Sequence, residues 1–305
     1  MHVDAQSVPN FFVVGAPKAG TTALYHYLGQ HPAIYTSPIK EPAFFAADLF
    51  EHKRRLGLVE PDPDGLRAYL DGPMTERRSG VISEWEQYLK LFKNVRQETA
   101  IGEVSGNYLA SNCAPRAIRE RIPHARIIMM LRDPVDRLYS QYSEAAGRGQ
   151  AELDFLPWVE QQQVLEAASQ PRLGAVWNGF YAQHLKRYLE NFPPQQVRAN
   201  LYQDYRRSVH LVLRDLFQFL NVDPDFTADV SRHHNVTLQR RSIPFRNVLR
   251  RVLPRRVVHR LRAATFKRPR QITPHERAAV LRIYEDDIRE LQRMLERDLS
   301  DWLSP

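Results

Sequence analysis

The sequence has little cysteine and no long apolar run. Its 305 residues include one cysteine, Cys113, so an intrachain disulfide and a thiolate-rich metal site are both excluded. No segment approaches the roughly 18 apolar residues that a membrane-spanning helix needs. The first ten residues are polar and do not follow the charged-then-apolar order of a signal peptide. These absences predict a complete, soluble protein of the cytoplasm.

Acidic residues are outnumbered by basic ones, and one segment has none. Lys and Arg total 43 against 35 Asp and Glu, a formal net charge of +8. Residues 245–271 contain ten Lys or Arg and no acid. This balance predicts an anionic partner, which is a nucleotide, a nucleic acid, an acidic glycan or a membrane surface. The stretch is either a solvated basic surface or a rim that attracts an anionic acceptor or an anionic membrane.

Short apolar runs alternate with helical patterns along most of the chain. The strongest strand predictions are the segments around 10–16, 100–106, 125–134 and 196–202. Strands that alternate with helices indicate an α/β fold, with a parallel sheet covered by helices on both faces. We expect a single domain over residues 1–305, with a basic C-terminal extension at about 245–305 that ends in an amphipathic helix from about Pro274.

The segment "GAPKAGTT", residues 15–22, joins the first predicted strand to a helix. Such a turn presents backbone N–H groups and the positive end of the helix dipole to an anion. Gly15 and Gly20 have the spacing of an ATP-type phosphate loop, but Thr21 stands where that loop has its lysine, and Lys18 comes three residues earlier. The loop is therefore suited to an anion of lower charge, held largely without metal. The alternative is a tight turn with no ligand.

The longer segment "GAPKAGTTALYHYLGQHP" resembles the loop by which sulfotransferases bind 3′-phosphoadenosine 5′-phosphosulfate (PAPS), and is most similar to the bacterial and carbohydrate branch. The resemblance implies an α/β P-loop-like fold, PAPS as co-substrate and no metal. It also implies that the 5′-phosphate binds the backbone and hydroxyl groups of four residues, Ala19, Gly20, Thr21 and Thr22. Lys18 would contact the bridging oxygen that becomes charged as the S–O bond breaks.

A second segment, "RIIMMLRDPVDRLYSQYSEAAGRG", resembles the strand and helix that bind the 3′-phosphate in the same family. The resemblance implies that Arg132 and Ser140 are the phosphate ligands. Arginine offers a planar set of donors to phosphate oxygens, and a serine hydroxyl adds a neutral donor. The alternative is that Arg132 pairs with Asp133 or Asp136 and only braces the end of the strand.

Two later motifs match the family more loosely. "NLYQDY" resembles a strand-end motif whose tyrosine lies near the adenine, which implies that role for Tyr202, although Gln203 replaces the usual acid. "HHNVTLQRRSIP" resembles a C-terminal loop that closes on the 3′-phosphate, which implies Arg240 and Arg241 as further ligands.

Sulfuryl transfer to a hydroxyl requires a base that can reach that hydroxyl. In the carbohydrate branch this base is the glutamate of a motif that "KEPAFF" resembles, which implies Glu41. The alternative for Glu41 is a solvated loop acid paired with Lys40. His233 and His234 have no partners at metal-ligand spacing, so a loop position or a position facing the substrate is expected for them.

The favoured hypothesis is a PAPS-dependent sulfotransferase that acts on a hydroxyl of a sugar, glycolipid or natural product. Within "GEVSGNYL", Val104 replaces a lysine that glycosaminoglycan members often carry, and their paired-cysteine loop cannot form here, so both departures argue against a heparan-like acceptor. The alternatives are a P-loop nucleotide-dependent kinase and a non-enzymatic basic protein that binds nucleic acid or membranes through 245–271. The favoured hypothesis expects no nucleic-acid partner.

Overall fold

Five short apolar strands form one parallel sheet in the computed structural model. The strands are β1 (Phe11–Gly15), β2 (Ile34–Thr36), β3 (Ala100–Val104), β4 (Arg126–Leu131) and β5 (Val197–Leu201). Their order is β2-β3-β1-β4-β5, and all four pairings are parallel. Every residue of β1 and β3 is buried, as expected for strands covered on both faces. The predicted α/β fold with a parallel sheet is confirmed.

The structure describes residues 8–55, 62–77, 80–151, 153–169, 173–231, 239–240, 266–267 and 270–304. Its helices are α1 (Thr21–Leu28), α2 (Ala47–Arg55), α3 (Pro63–Asp71), α4 (Trp85–Lys90), α5 (Ala114–Arg121), α6 (Pro134–Gly147), α7 (Phe155–Ala167), α8 (Tyr181–Leu189), α9 (Tyr202–Arg207), α10 (Val209–Phe219) and α11 (Pro274–Leu295). A two-stranded antiparallel ribbon joins β6 (Gln239–Arg240) to β7 (Phe266–Lys267). None of the helices within these ranges is long and apolar enough to cross a membrane.

Helix α11 starts at the predicted residue because its capping signals are local. The Thr273 hydroxyl accepts a hydrogen bond from the Glu276 N–H, the Glu276 carboxylate binds the Thr273 N–H, and Pro274 occupies the first turn. The buried side of the helix, which includes Tyr284 and Ile288, packs against α8, α6 and α7. Helix α11, which lies in the predicted C-terminal extension, therefore packs into the same hydrophobic core as the sheet.

Candidate active site

The carboxyl ends of the parallel strands bring four loops to one edge of the sheet. The segment Ala16–Gly20 follows β1, Gly106 lies just after β3, Arg132 follows β4, and Tyr202 follows β5. In open parallel sheets this edge is where ligands bind. The topology alone therefore collects residues from distant parts of the chain at the loop after β1.

Gly20 explains how Tyr202 meets this loop. Gly20 caps α1 in the left-handed region, with φ of 87°, where a side chain is strained. A Cβ added to Gly20 would lie 3.0 Å from Cε2 of Tyr202, so the aromatic ring rests against the loop backbone. Thr21 and Thr22 begin α1 directly after this glycine, and Ala19 before it is fully buried. The structure therefore places Tyr202 beside the predicted phosphate-binding residues.

Lys18 connects the loop to helix α6. Its backbone adopts a left-handed conformation, with φ of 68°, which costs a non-glycine residue about 1–2 kcal/mol. Its ammonium lies 2.9 Å from Oε2 of Glu144, and its carbonyl accepts a hydrogen bond of 3.2 Å from Nη1 of Arg132. Glu144 is not among the site residues predicted from the sequence. The available signal was its position one helical turn after Ser140, which puts both residues on the same face of α6.

Arg132 does not pair with the two aspartates that follow it. Asp133 and Asp136 instead bind Arg277 of α11, at 2.5 and 3.2 Å. The guanidinium of Arg132 lies over the ring of Tyr202, 5.2 Å from its centroid, and its Nε is buried without a hydrogen-bond partner among the described residues. The pairing of Arg132 with Asp133 or Asp136, considered as an alternative, is therefore wrong.

Glu41 lies beside Gly106 and close to the loop after β1. Its Oε1 lies 3.7 Å from the position that a Cβ on Gly106 would occupy, and Oγ1 of Thr21 lies at the same distance from that point. Its backbone N–H bonds the carbonyl of Val104 at 3.0 Å, and its φ is 68°. Glu41 is thus fixed at the end of β3, next to the first turn of α1.

Lys40 pairs with Glu41, as one sequence-based alternative expected. Its Nζ lies 2.8 Å from Oε1 of Glu41, and the lysine is only 5 % exposed whereas Glu41 is half-buried. The pair is therefore not a solvated surface contact. A buried ammonium loses its hydration, and Glu41 supplies the compensating negative charge.

Glu103 is a buried acid that is not among the site residues predicted from the sequence. It lies in β3 with no exposed surface, and burial raises its pKa to about 8. The hydroxyl groups of Tyr108, Tyr88 and Ser105 lower the pKa, but by less than burial raises it. Tyr108 in turn accepts a hydrogen bond of 3.1 Å from the Phe45 N–H, in the segment that follows Glu41. A glutamate inside an otherwise apolar strand was the signal that could have identified it.

The remaining predicted site residues are only partly described. Ser140 is half-buried on α6, and Arg240 lies in β6, whose backbone packs beside α6. Arg241, His233, His234 and nearly all of 245–271 lie outside the described residues. In the part of the chain that is described, no three His, Cys, Asp or Glu residues cluster as metal ligands.

Residues 9–227 match the family model described as "Sulfotransferase family". The chain is 30 % identical over 263 residues to carbohydrate sulfotransferase 15 of Homo sapiens, covering 73 % of this chain and 45 % of that protein. It is 29 % identical over 223 residues to the human bifunctional heparan sulfate N-deacetylase/N-sulfotransferase 3, covering 72 % of this chain and 23 % of that protein. The crystal structure of a sulfotransferase from Alicyclobacillus acidocaldarius superposes with a TM-score of 0.71, at 29 % identity and over 97 % and 98 % of the two chains. The chain thus spans less than half of the length of these curated relatives, and it belongs to the Sulfotransferase family.

Proposed function

We propose that this protein transfers the sulfuryl group of PAPS to a hydroxyl of a carbohydrate acceptor. The observation that carries the proposal is that Lys18, Arg132 and Tyr202 meet at one loop, with Glu41 beside Gly106 and the first turn of α1. The names of the two human relatives refer to carbohydrate and to heparan sulfate, which supports a sugar acceptor over the glycolipid or natural product also considered.

The described residues fit the two ends of the donor. The loop after β1 ends at a left-handed glycine and a helix N-terminus, which suits the 5′-phosphate held by Ala19–Thr22. The unpartnered Nε of Arg132 is a buried donor that a 3′-phosphate oxygen would satisfy. Ser140 lies on α6, the helix that follows Arg132, and Arg240 lies on β6, whose backbone packs beside α6. Tyr202, already stacked with Arg132, would lie beside the adenine.

Glu41 is proposed as the base for the acceptor hydroxyl. Lys40 occupies Oε1, so Oε2 accepts the proton. As the acceptor oxygen bonds to sulfur, the bond from sulfur to the 5′-phosphate oxygen breaks and adenosine 3′,5′-bisphosphate departs. Lys18 stabilises the negative charge that develops on that departing oxygen, for which it must exchange Glu144 for the phosphate.

Ligand binding distinguishes this proposal from the two alternatives. Calorimetry with adenosine 3′,5′-bisphosphate, ATP and a DNA duplex, each with and without magnesium, should show tight, magnesium-independent binding of the bisphosphate only. Labelled PAPS should then transfer its label to a saccharide in an acceptor screen. Magnesium-dependent preference for ATP would instead support a kinase, and preference for DNA would support a nucleic-acid-binding protein.

We also propose that the basic stretch 245–271 attracts the acceptor or an anionic membrane surface, at about 1 kcal/mol per well-placed charge. The test reverses four arginines to glutamate: Arg250, Arg251, Arg255 and Arg256. Acceptor affinity or binding to phosphatidylserine vesicles should fall at low salt while PAPS affinity holds, and the difference should fade at physiological ionic strength. Unchanged acceptor and vesicle binding would identify a solvated surface.

A further inference from the structure

Arg277 connects the C-terminal helix to the start of α6, directly after Arg132. Its guanidinium binds Oδ2 of Asp133 at 2.5 Å and Oδ1 of Asp136 at 3.2 Å, and its Nε donates to the carbonyl of Ser304 at 2.8 Å. The side chain is 16 % exposed, and so is largely removed from water. This residue lies beyond the 9–227 region that matches the family.

Asp133 uses its two carboxylate oxygens for different purposes. Oδ1 caps α6 by accepting from the N–H groups of Val135 and Asp136, at 2.8 and 3.1 Å, while Oδ2 binds Arg277. Burial raises the pKa of Asp133, and the Arg277 guanidinium opposes that effect. Arg277 therefore stabilises the ionised cap at the start of α6.

Both aspartates are natural partners for Arg132 in the absence of Arg277. Asp133 is adjacent to Arg132 in sequence, and Asp136 lies in the first turn of α6, whose N-cap is Asp133, so these are the carboxylates nearest to Arg132 along the chain. A carboxylate on Arg132 would occupy the donors that a phosphate needs. Because Arg277 binds both acids, Arg132 instead contacts the Lys18 carbonyl and the Tyr202 ring.

The same C-terminal segment also holds the element that begins with Tyr202. The indole Nε1 of Trp302 donates to Oε1 of Gln203 at 2.9 Å, and Arg297 pairs with Asp204 at 2.9 Å. Trp302 is buried, and its carbonyl lies 3.5 Å from Nη2 of Arg277. The segment thus contacts the residues next to both Arg132 and Tyr202.

We propose that Arg277 is a positioning residue for recognition of the donor's 3′-phosphate: by binding Asp133 and Asp136, it leaves the guanidinium of Arg132 available to the phosphate. The inference rests on the proposed function, since it assigns Arg132 to that phosphate. It means that phosphate recognition also requires a basic residue of the C-terminal helix, which lies outside the phosphate-binding motifs.

The test compares the affinities of the intact protein for adenosine 3′,5′-bisphosphate and adenosine 5′-phosphate by calorimetry. Arg277→Met should lower the bisphosphate preference by about tenfold, which is the size expected when a hydrogen bond to a charged group is lost. Adding Asp136→Asn to that variant should restore much of the preference, because a competing carboxylate is removed. The control Arg282→Met, an exposed position on the same helix, should keep the wild-type ratio.

A purely structural role for Arg277 predicts different results. It would lower thermal stability and reduce the affinities for both nucleotides by the same factor, and Asp136→Asn would not restore the preference for the bisphosphate. Each of these results overturns the inference. A wild-type preference for the bisphosphate in Arg277→Met overturns it as well. If Arg277→Met does not fold, Arg277→Gln, which also removes the charge, replaces it, with and without Asp136→Asn, and an unchanged ratio in folded Arg277→Gln is equally decisive. Lack of bisphosphate preference in the wild type would instead refute the proposed function itself.

Discussion

Replacing Glu144 with glutamine should tighten the binding of adenosine 3′,5′-bisphosphate. The ammonium of Lys18 lies 2.9 Å from the Glu144 carboxylate, so a bound 5′-phosphate competes with Glu144 for the same charge. Glutamine keeps the shape of the side chain and removes that competition. Lys18 should then turn to the phosphate without losing an ion pair.

The size of the effect follows from the exposure of the pair. The side chains of Lys18 and Glu144 are 21 % and 31 % exposed, so the pair is partly screened by solvent and contributes at most about 1 kcal/mol. This corresponds to a gain in affinity of up to about fivefold. Glu144 also binds Arg148 at 2.5 Å, so its charge is partly neutralised and the expected gain in affinity is small.

The assay is a double-mutant cycle measured by calorimetry at low salt. Lys18→Ala alone should weaken bisphosphate binding modestly but lower turnover by about 10²–10³, as for loss of one oriented charge-stabilising donor. The gain from Glu144→Gln should disappear in the Lys18→Ala background. Glu120→Gln, which removes an exposed ion pair with Arg116 on α5, is the control and should change nothing. A gain that persists without Lys18, or a loss of affinity in Glu144→Gln, would refute the reasoning.

Three further predictions follow from the site. Arg132→Ala and Ser140→Ala should weaken adenosine 3′,5′-bisphosphate much more than adenosine 5′-phosphate in calorimetry, and equal losses would mean that both residues only support the fold. Glu41→Gln should lower turnover by about 10²–10⁴ in a labelled-PAPS assay while bisphosphate affinity holds; full activity would exclude Glu41 as the base. Glu103 is protonated in the fold up to a pKa of about 8 but ionises near its ordinary value when unfolded, so its contribution to stability should fall by about 1.4 kcal/mol per pH unit from about pH 5 to 8. In urea unfolding, the wild-type stability should fall with pH more steeply than that of Glu103→Gln by this amount, and identical slopes would show that Glu103 makes no such contribution.

The sequence was sufficient for the elements whose signals are local. The apolar run before Gly15 predicts β1, and the glycine at position 20 followed by two threonines predicts a helix that starts there, as the structure shows. The start of α11 was predictable for the same reason, since Pro274 lies directly at it. Alternation of such elements also predicted the parallel sheet.

The partners of the charged site residues could not be predicted in the same way. Glu144 lies 126 residues from Lys18, and Arg277 lies 144 residues from Asp133. Periodicity describes which residues share a face, but not which distant face they meet. Sequence proximity instead suggested Arg132 with Asp133, a pairing that the long-range contact with Arg277 replaces.

The contact between Arg277 and Asp133 also has a consequence for how the chain matures during synthesis. All five strands of the sheet have been made once β5 ends at Leu201, yet the partner of Asp133 has not. At roughly 5–20 residues per second, the about 75 residues from there to Arg277 take several seconds to translate, and more to leave the ribosome. During that interval the acids beside Arg132 have no C-terminal arginine to bind them. We therefore expect a nascent chain to form its sheet first and to acquire affinity for adenosine 3′,5′-bisphosphate only when α11 has docked.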